Sequence, residues 1–295
     1  MSHAVSERRV PTSGPTLSIR DHAGAEPSIV AMHGLASNAR WWDLVAANLA
    51  PVHRVIAVDL RGHGLSDKPA EGYGFSAVAR DVAEMLDSEH PGPLVVAGHS
   101  WGASVALAFA VEYPERTLGV ICVDGGATDM KAWFGPDWTM AQHTMRPPAL
   151  TGLTADAIRR WMDSSPIAEG SDPDTAAEIL LGNFEDDGSG AGTLRARLLL
   201  DHHMEIAREL FELDGYSLMA RLNCPVLFVP AGHPDHEDLP KVRAMERVRA
   251  VLGDRAAVQW VDGVHDIPVQ RPVEVASAVA GFVATLSYPS RMSQK

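Results

Sequence analysis

Short apolar runs alternate along the chain with segments whose apolar positions recur at helical spacing. We interpret as strands the runs TLSIRDH, SIVAMHG, RVIAVDL, PLVVAG and LGVICVDGG, and, towards the C-terminus, VLFVPAG and AAVQWVDG. Helical periodicity marks the segments between them, such as WWDLVAANLA, FSAVARDVAEMLDS and WGASVALAFAVEYP. Unbroken apolar strands that alternate with helices are typical of a parallel sheet covered on both faces. The pattern therefore predicts an α/β fold.

The alternation stops at about Ala127 and resumes after Leu222. No strand pattern is clear in between, where helical spacing appears in TADAIRRWMDS, DTAAEILLG and RARLLLDHHMEIARELFELDG beside the glycine-rich stretch EDDGSGAG. We therefore expect a core domain formed by residues 1–126 and 223–295, interrupted by a mainly helical cap subdomain of residues 127–222.

Composition narrows the choice of partners. The chain has 25 Lys and Arg against 38 Asp and Glu, a formal charge of −13, which disfavours nucleic acid and anionic membrane surfaces. Cys122 and Cys224 lie in or beside apolar runs and are expected to be buried thiols. Because no secretory signal pattern and no apolar stretch of 18 residues occurs, we expect a cytoplasmic protein, monomeric or homodimeric.

The stretch VVAGHSWGAS carries the most specific candidate chemistry. It places Ser100 between Gly98 and Gly102, where a buried strand is predicted to end and a helix to begin. A nucleophile elbow requires this position, and a Cβ at either glycine would collide with the neighbouring strand or helix. The alternative is a serine that only caps the helix.

A serine nucleophile also needs hydrogen-bond donors for the oxyanion that forms on attack. One candidate is the backbone N–H of Trp101, which follows the serine. The other is the N–H of Leu35, in AMHGLASN, where His33 and Gly34 end an earlier strand. The alternative is a plain strand-ending turn, but the pair stands two strands before the strand that leads to Ser100, where the geometry requires the second donor.

The general base must be chosen among 13 histidines. His265 follows the last apolar strand, in WVDGVHDIPVQRP, on a loop at the carboxyl edge of the predicted sheet, where function concentrates in open α/β sheets. His63, in the glycine-rich turn RGHG, is better explained by stabilisation of that turn, and His99 is expected to point away from the serine. We therefore favour His265.

The acid that orients the base is less well determined by the sequence. Asp235, in VPAGHPDHED, follows the penultimate strand and is the carboxylate we favour. Glu237 and Asp238 in the same loop are close rivals. Asp124, directly after the strand that follows the serine motif, is a separate candidate.

With these residues in place, the sequence resembles the α/β-hydrolase superfamily, specifically its capped, esterase-like members. The resemblance rests on MHGLASNARWW, VIAVDLRGHGLSDKP, GHSWG, the acidic loop after the penultimate strand, and VHDIPVQRP, and it covers nearly the whole chain. It implies the α/β-hydrolase fold: a mostly parallel sheet of the eight-stranded type, helices on both faces and an inserted helical cap. The loop AGHPDHED departs from the commoner Gly-x-x-Asp pattern.

The resemblance also implies roles for individual residues. Ser100 would be the nucleophile, His265 the base, an acid after the penultimate strand its partner, and the N–H groups of Leu35 and Trp101 the oxyanion hole. Haloalkane dehalogenases and epoxide hydrolases of this fold carry Asp at the elbow, so a serine disfavours both activities.

These roles predict a serine hydrolase that cleaves a small to medium hydrophobic carboxylic ester, lactone or thioester, with no metal and no organic cofactor. Carbon–carbon bond hydrolases and cofactor-free perhydrolases use the same triad and stay open as alternatives. So does a small-molecule receptor that keeps the triad with little turnover, or a scaffold that only retains the motifs.

Aromatic residues of the inserted segment are candidates for substrate binding. Trp133, Phe134, Trp138 and Trp161 are expected to line an apolar pocket over the serine, and Trp101 is expected to face its mouth. Each of the four could instead pack the inserted segment against the core.

Overall fold

Seven of the ten strands of the computed structural model, which describes residues 5–50, 52–127, 129–235 and 239–288, coincide with predicted apolar runs. They are β1 (Val5–Val10), β2 (Leu17–His22), β3 (Ile29–Met32), β4 (Val55–Asp59), β5 (Leu94–His99), β6 (Thr117–Val123), β7 (Phe184–Asp186), β8 (Leu194–Ala196), β9 (Val226–Val229) and β10 (Ala256–Val258).

Twelve helices are assigned within the described residues. They are α1 (Asp43–Leu49), α2 (Phe75–Glu89), α3 (Trp101–Glu112), α4 (Met130–Phe134), α5 (Trp138–Met145), α6 (Ala155–Met162), α7 (Pro173–Leu181), α8 (Leu200–Glu212), α9 (Gly215–Met219), α10 (Leu239–Leu252), α11 (Ile267–Gln270) and α12 (Pro272–Val283). None of them is both long enough and apolar enough to cross a membrane.

Eight of the strands form one sheet in the order β1-β2-β4-β3-β5-β6-β9-β10. From β4 to β10 all neighbours are parallel, while β2 pairs antiparallel with β4 and with β1. The predicted α/β fold with a mostly parallel sheet is therefore confirmed. Because β3, β4, β5, β6, β9 and β10 run in one direction, the loops that follow them all leave the sheet at one edge.

The two faces of the sheet bury separate apolar cores, because side chains alternate along each strand. In β3, Val30 and Met32 join the core formed with α2, α3, α8 and α10, whereas Ile29 and Ala31 join the core formed with α1, α7, α11 and α12. Residues 101–110 of α3 are all buried. This explains why the strands read as unbroken apolar runs.

The sequence analysis missed β1. Its residues, VSERRV, are mostly exposed, and its only sheet neighbour is β2. An edge strand with polar side chains lacks the apolar run by which buried strands are recognised, and charged side chains on an edge oppose pairing with other chains.

Between β6 and β9 the chain forms the six helices α4 to α9 and, unlike the sequence expectation, a small β-hairpin. The hairpin pairs β7 with β8 antiparallel, and its loop is the glycine-rich stretch around residues 187–193. Three-residue strands are too short to give a readable alternation, which is why the sequence did not reveal them.

A buried ion pair ties the loop after β4 to α2. The Arg61 guanidinium donates to both carboxylate oxygens of Asp81 at 2.5 and 2.6 Å, and also to the Gly72 carbonyl at 2.6 Å. Both side chains are at most 6% exposed. Removing one partner of such a pair leaves an uncompensated charge in a poorly solvated site.

Asp81→Asn is therefore expected to lower the free energy of unfolding by about 3–5 kcal/mol, measured by urea denaturation. The control is Asp87→Asn on the same helix, because Asp87 is 68% exposed and pairs with Arg116; its loss is expected to stay within about 1 kcal/mol. Equal losses in the two variants would contradict this account of the buried pair.

Candidate active site

Ser100 lies at the sharp junction of β5 and α3. Its φ of 54° and ψ of −120° place it in a region that L-residues rarely adopt. Its N–H donates to the Val123 carbonyl of the neighbouring strand at 3.0 Å, which holds the turn against β6. The side chain accordingly stands at the carboxyl edge of the sheet, with the first turn of α3 behind it.

Glycines make this turn sterically feasible. A Cβ on Gly98 would lie 2.1 Å from the Gly102 carbonyl oxygen, and a Cβ on Gly102 would lie 2.5 Å from backbone oxygens of Met32 and His33. The first clash is with α3 and the second with β3 and the residue after it. Both glycines therefore serve the steric purpose that the sequence motif suggested.

His265 contacts Ser100 from the loop after β10. Its Nε2 lies 2.9 Å from the Ser100 Oγ, and its Nδ1 lies 2.6 Å from the Asp124 Oδ2. A carboxylate accepts hydrogen bonds, so Nδ1 carries the proton and Nε2 is left to accept from the serine hydroxyl. This tautomer is the one that a base acting on Ser100 requires.

A buried histidine contacts the backbone of His265. The His99 Nε2 donates to the His265 carbonyl oxygen at 2.9 Å, and His99 is 2% exposed. Burial, followed by the charge of His265, lowers the pKa of His99 to about 3, so this ring stays neutral. His99 lies beside the serine rather than away from it, and the sequence analysis did not assign it this supporting contact.

Asp124 is the carboxylate that contacts His265. It follows β6 directly, has a φ of 40°, and its side chain is 4% exposed. Its Oδ1 accepts the Ala231 N–H at 2.8 Å and lies 2.8 Å from the Lys241 Nζ. Three different elements therefore converge on this one carboxylate.

The charges at the site support an ionised Asp124. Burial alone would raise the pKa of Asp124, but the hydrogen bond from His265 and the charge of Lys241 outweigh it and lower the pKa. For His265, desolvation acts to lower the pKa, and the hydrogen bond and charge of Asp124 outweigh it, so its pKa is raised above 6.5.

The sequence-based choice of Asp235 is corrected by this geometry. The Asp235 side chain is 86% exposed, and it faces His233 of its own loop, 3.8 Å away, not His265. The loop after β9 contributes the Ala231 N–H to Asp124 in place of a carboxylate. The rivals Glu237 and Asp238 lie outside the described residues.

A local signal for Asp124 exists in the sequence, in the run Val-Asp-Gly-Gly at the end of β6. A Cβ on Gly125 would lie 2.3 Å from the Ser100 carbonyl oxygen. The glycine after Asp124 is thus required by close approach to the serine turn. Such a glycine next to a strand-ending carboxylate indicates that the carboxylate lies beside the nucleophile position.

The loop after β3 approaches Ser100 from the other side. A Cβ on Gly34 would lie 3.2 Å from the Ser100 Cβ. The Leu35 N–H has no hydrogen-bond acceptor among the described residues, while the neighbouring Ala36 N–H donates to the His63 Nε2 at 3.2 Å. His63 therefore supports this loop, and within its own turn its Nδ1 lies 2.9 Å from the Arg61 carbonyl oxygen.

The second expected donor is the N–H of Trp101, the first residue of α3. The N–H groups at the start of a helix have no acceptor within that helix. The Trp101 side chain, however, is 1% exposed and stacks on His63 with ring centroids 5.4 Å apart. It lies in the core, so the expectation that its ring faces the mouth of the site is wrong.

A cavity of about 210 Å³ adjoins Ser100. Besides Ser100, His99 and His265, three parts of the chain line it: the region after β3 (Gly34, Leu35, Ala36, Ser37 and Trp41), Asp266 next to His265, and the inserted segment (Ile167, Leu180 and Asn183). Its lining is thus mixed: Ile167 and Leu180 are apolar, whereas His99, His265 and Asp266 are polar.

The four aromatic residues proposed for substrate binding do not line this cavity. Trp133 is 58% exposed and borders a separate cavity of about 80 Å³ behind Asp124. Trp138 packs on Phe211 at 5.3 Å, and Trp161 is 50% exposed. Phe134, half-buried, is also absent from the lining. Helical spacing does not reveal which end of an inserted helix reaches the site.

No group of three or more His, Cys, Asp or Glu side chains within the described ranges is arranged to hold a metal ion. The Asp124 carboxylate and the His265 imidazole instead contact each other, Ser100 and Lys241. The arrangement is suited to moving one proton between a hydroxyl and an imidazole beside an ionised carboxylate.

Comparison with known proteins agrees with this architecture. A family model described as alpha/beta hydrolase fold matches residues 27–163. The chain is 36% identical over 122 residues to 2-(acetamidomethylene)succinate hydrolase of Mesorhizobium japonicum, a match of 41% of this chain and 43% of that protein. It is 34% identical over 101 residues to epoxide hydrolase 4 of Mus musculus, a match of 34% of this chain and 28% of that protein. The chain thus matches less than half the length of these curated relatives.

A solved structure extends the likeness to the whole fold. The crystal structure of E-2-(acetamidomethylene)succinate hydrolase superposes with a TM-score of 0.78 at 24% identity, covering 96% of this chain and 100% of that one. The predicted α/β-hydrolase fold is confirmed by this match and by the family model.

Asp124→Asn is expected to lower the pKa of His265, because the carboxylate that raises it is removed. The pKa can be followed by NMR titration of the imidazole, without any substrate. Asp235→Asn serves as the control and is expected to leave the His265 pKa unchanged. A shift in Asp235→Asn together with none in Asp124→Asn would contradict the assignment of the acid.

Proposed function

We propose that the chain is a serine hydrolase of the α/β-hydrolase superfamily that cleaves a small carboxylic ester, lactone or thioester through an acyl-enzyme on Ser100. The observation that carries the proposal is the continuous chain of contacts from Asp124 through His265 to the Ser100 Oγ, at 2.6 and 2.9 Å, beside a cavity.

In the first step, the His265 Nε2 takes the proton of the Ser100 hydroxyl as its oxygen attacks the acyl carbon. The N–H groups of Leu35 and Trp101 receive the oxyanion, and Asp124 stabilises the imidazolium. The imidazolium then protonates the leaving group as the bond to the acyl carbon breaks. In the second step, water gives a proton to His265 as its oxygen attacks the acyl carbon. The bond between the acyl carbon and the Ser100 Oγ then breaks, and His265 returns the proton to that oxygen, which releases the acid and restores Ser100.

The cavity supports a small substrate. A volume of about 210 Å³ lies below the range of roughly 300–1,000 Å³ usual for sites that bind drug-sized ligands. Ile167 and Leu180 come from the inserted segment and give the cavity an apolar side. We infer that residues 127–222 act as a cap that selects the acyl or leaving group by its size.

The activities that the relatives' names state do not fit the residues of this site. The succinate in the name of the relative from Mesorhizobium japonicum implies carboxylate groups, and no Lys or Arg belongs to the described cavity lining that could bind them. Epoxide hydrolases of this fold use an Asp nucleophile, as the sequence resemblance implies, where this chain has Ser100.

Ser100→Ala is expected to abolish labelling by a fluorophosphonate probe and to lower kcat on the best substrate of an ester, lactone and thioester panel by on the order of a millionfold. The reason is that the alanine removes the attacking oxygen. Ser104→Ala, four residues later on the same helix and fully buried, is the matched control and is expected to keep both labelling and turnover.

Retained turnover in Ser100→Ala would overturn the proposal. Labelling of Ser100 without turnover of any acyl substrate would replace it with the receptor alternative. Cleavage confined to carbon–carbon bonds, or to acyl transfer onto hydrogen peroxide, would assign the same residues to one of the two other enzyme classes that share the triad.

A further inference from the structure

We propose that Asp266 selects substrates by charge, so that the cavity beside Ser100 favours acyl compounds with a cationic, ammonium-type group over isosteric neutral ones and disfavours anionic ones. The inference rests on the proposed hydrolase function and deepens it by naming a substrate class.

Asp266 is a carboxylate at the site that has no partner in the described structure. It follows His265 directly and lines the same cavity as Ser100. It precedes α11, but its side chain does not cap that helix, and neither of its carboxylate oxygens accepts a hydrogen bond or forms an ion pair there. Buried and half-buried carboxylates ordinarily have such partners.

The other buried carboxylates of the chain show this contrast. Asp81 accepts two hydrogen bonds from Arg61, Asp59 accepts the N–H groups of Ala39 and Leu65, and Asp124 has the three contacts described above. Each has a structural task within the protein. Asp266 has none among the described residues, so its charge is left facing the space that a substrate would occupy.

No lysine or arginine of the described cavity wall compensates this charge. The described lining contains neither Lys nor Arg. Lys241 is the cation bound to the site, and its amino group lies 2.8 and 3.1 Å from the oxygens of Asp124. Partial burial raises the pKa of Asp266, the charge of His265 opposes that rise, and the charge of Asp124 adds to it.

An ammonium group of a substrate would supply the missing counter-charge. Trp41 lines the same cavity, and aromatic rings attract cations in desolvated sites. The formal charge of −13 on the chain also draws cations towards the protein. A carboxylate on the substrate would instead be placed beside a like charge, which is unfavourable.

The test compares cationic substrates with neutral ones of the same shape. Acetylcholine and 3,3-dimethylbutyl acetate differ in the charge of the leaving group, and p-nitrophenyl 4-(trimethylammonio)butyrate and p-nitrophenyl 5,5-dimethylhexanoate differ in the charge of the acyl group. In the wild type, kcat/KM for the cation is expected to exceed that for its neutral counterpart in at least one pair by roughly 10- to 100-fold. This is the fold-change that corresponds to the free energy of a hydrogen bond to a charged group.

Asp266→Asn is expected to bring that ratio close to one. Because both substrates of a pair are measured on the same enzyme, any effect of the substitution on the pKa of His265 cancels. Asp262→Asn, an exposed acid of the same loop that is not part of the cavity lining, is the matched control and is expected to keep the wild-type ratio. A ratio near one for both pairs in the wild type, or an unchanged ratio in Asp266→Asn, would overturn the proposal.

A second measurement separates this inference from the proposed function. Tetramethylammonium is expected to slow fluorophosphonate labelling of Ser100 in the wild type more strongly than in Asp266→Asn, whether or not any ester is turned over. Labelling and ester turnover without any effect of charge would refute the role of Asp266 alone, whereas labelling that persists in Ser100→Ala would refute the hydrolase itself.

Discussion

The turn at Ser100 takes the chain from β5 into α3 through a φ of 54°, and the position of every other site group depends on it. Two more residues outside glycine have a positive φ in the described chain, Ala36 at 57° and Asp124 at 40°, and both lie in loops that approach the serine. Such conformations cost of order 1–3 kcal/mol each and persist only where the surroundings enforce them. Here the surroundings are the parallel strands, whose carboxyl ends bring the three loops to one edge.

Two of the three groups in the contact chain could be predicted from local sequence alone. Ser100 has a glycine on either side at a strand-to-helix junction, and His265 follows the last strand, so each carries its own signal. The acid was harder to choose, because two strands are followed by candidate carboxylates, and the glycine after Asp124 becomes informative only when its close approach to the serine turn is known. The choice between Asp124 and Asp235 depends on the direction in which each loop turns, and the loop after β9 contacts the site through the backbone N–H of Ala231.

Strands could be predicted from the sequence where burial requires a continuous run of apolar residues, and not where the strand is exposed or very short. The apolar runs of the parallel strands predicted the sheet, whereas β1 is polar and exposed, and β7 and β8 are three residues long. The wall of the cavity was not predictable from periodicity. The large aromatic residues of the inserted segment were predicted to line the cavity, but Ile167, Leu180 and Asn183 are the described residues of that segment that do so.

In the proposed mechanism, Ser100 becomes covalently acylated, and His265 and Asp124 assist that step. The most direct test is to mix the enzyme with a p-nitrophenyl ester, quench the reaction rapidly, and analyse the peptide that contains Ser100 by mass spectrometry. We expect a mass increase that corresponds to the acyl group on Ser100 within the first turnover, and a much slower increase in Asp124→Asn. Steady hydrolysis with no acyl group on Ser100 at any time would contradict this mechanism.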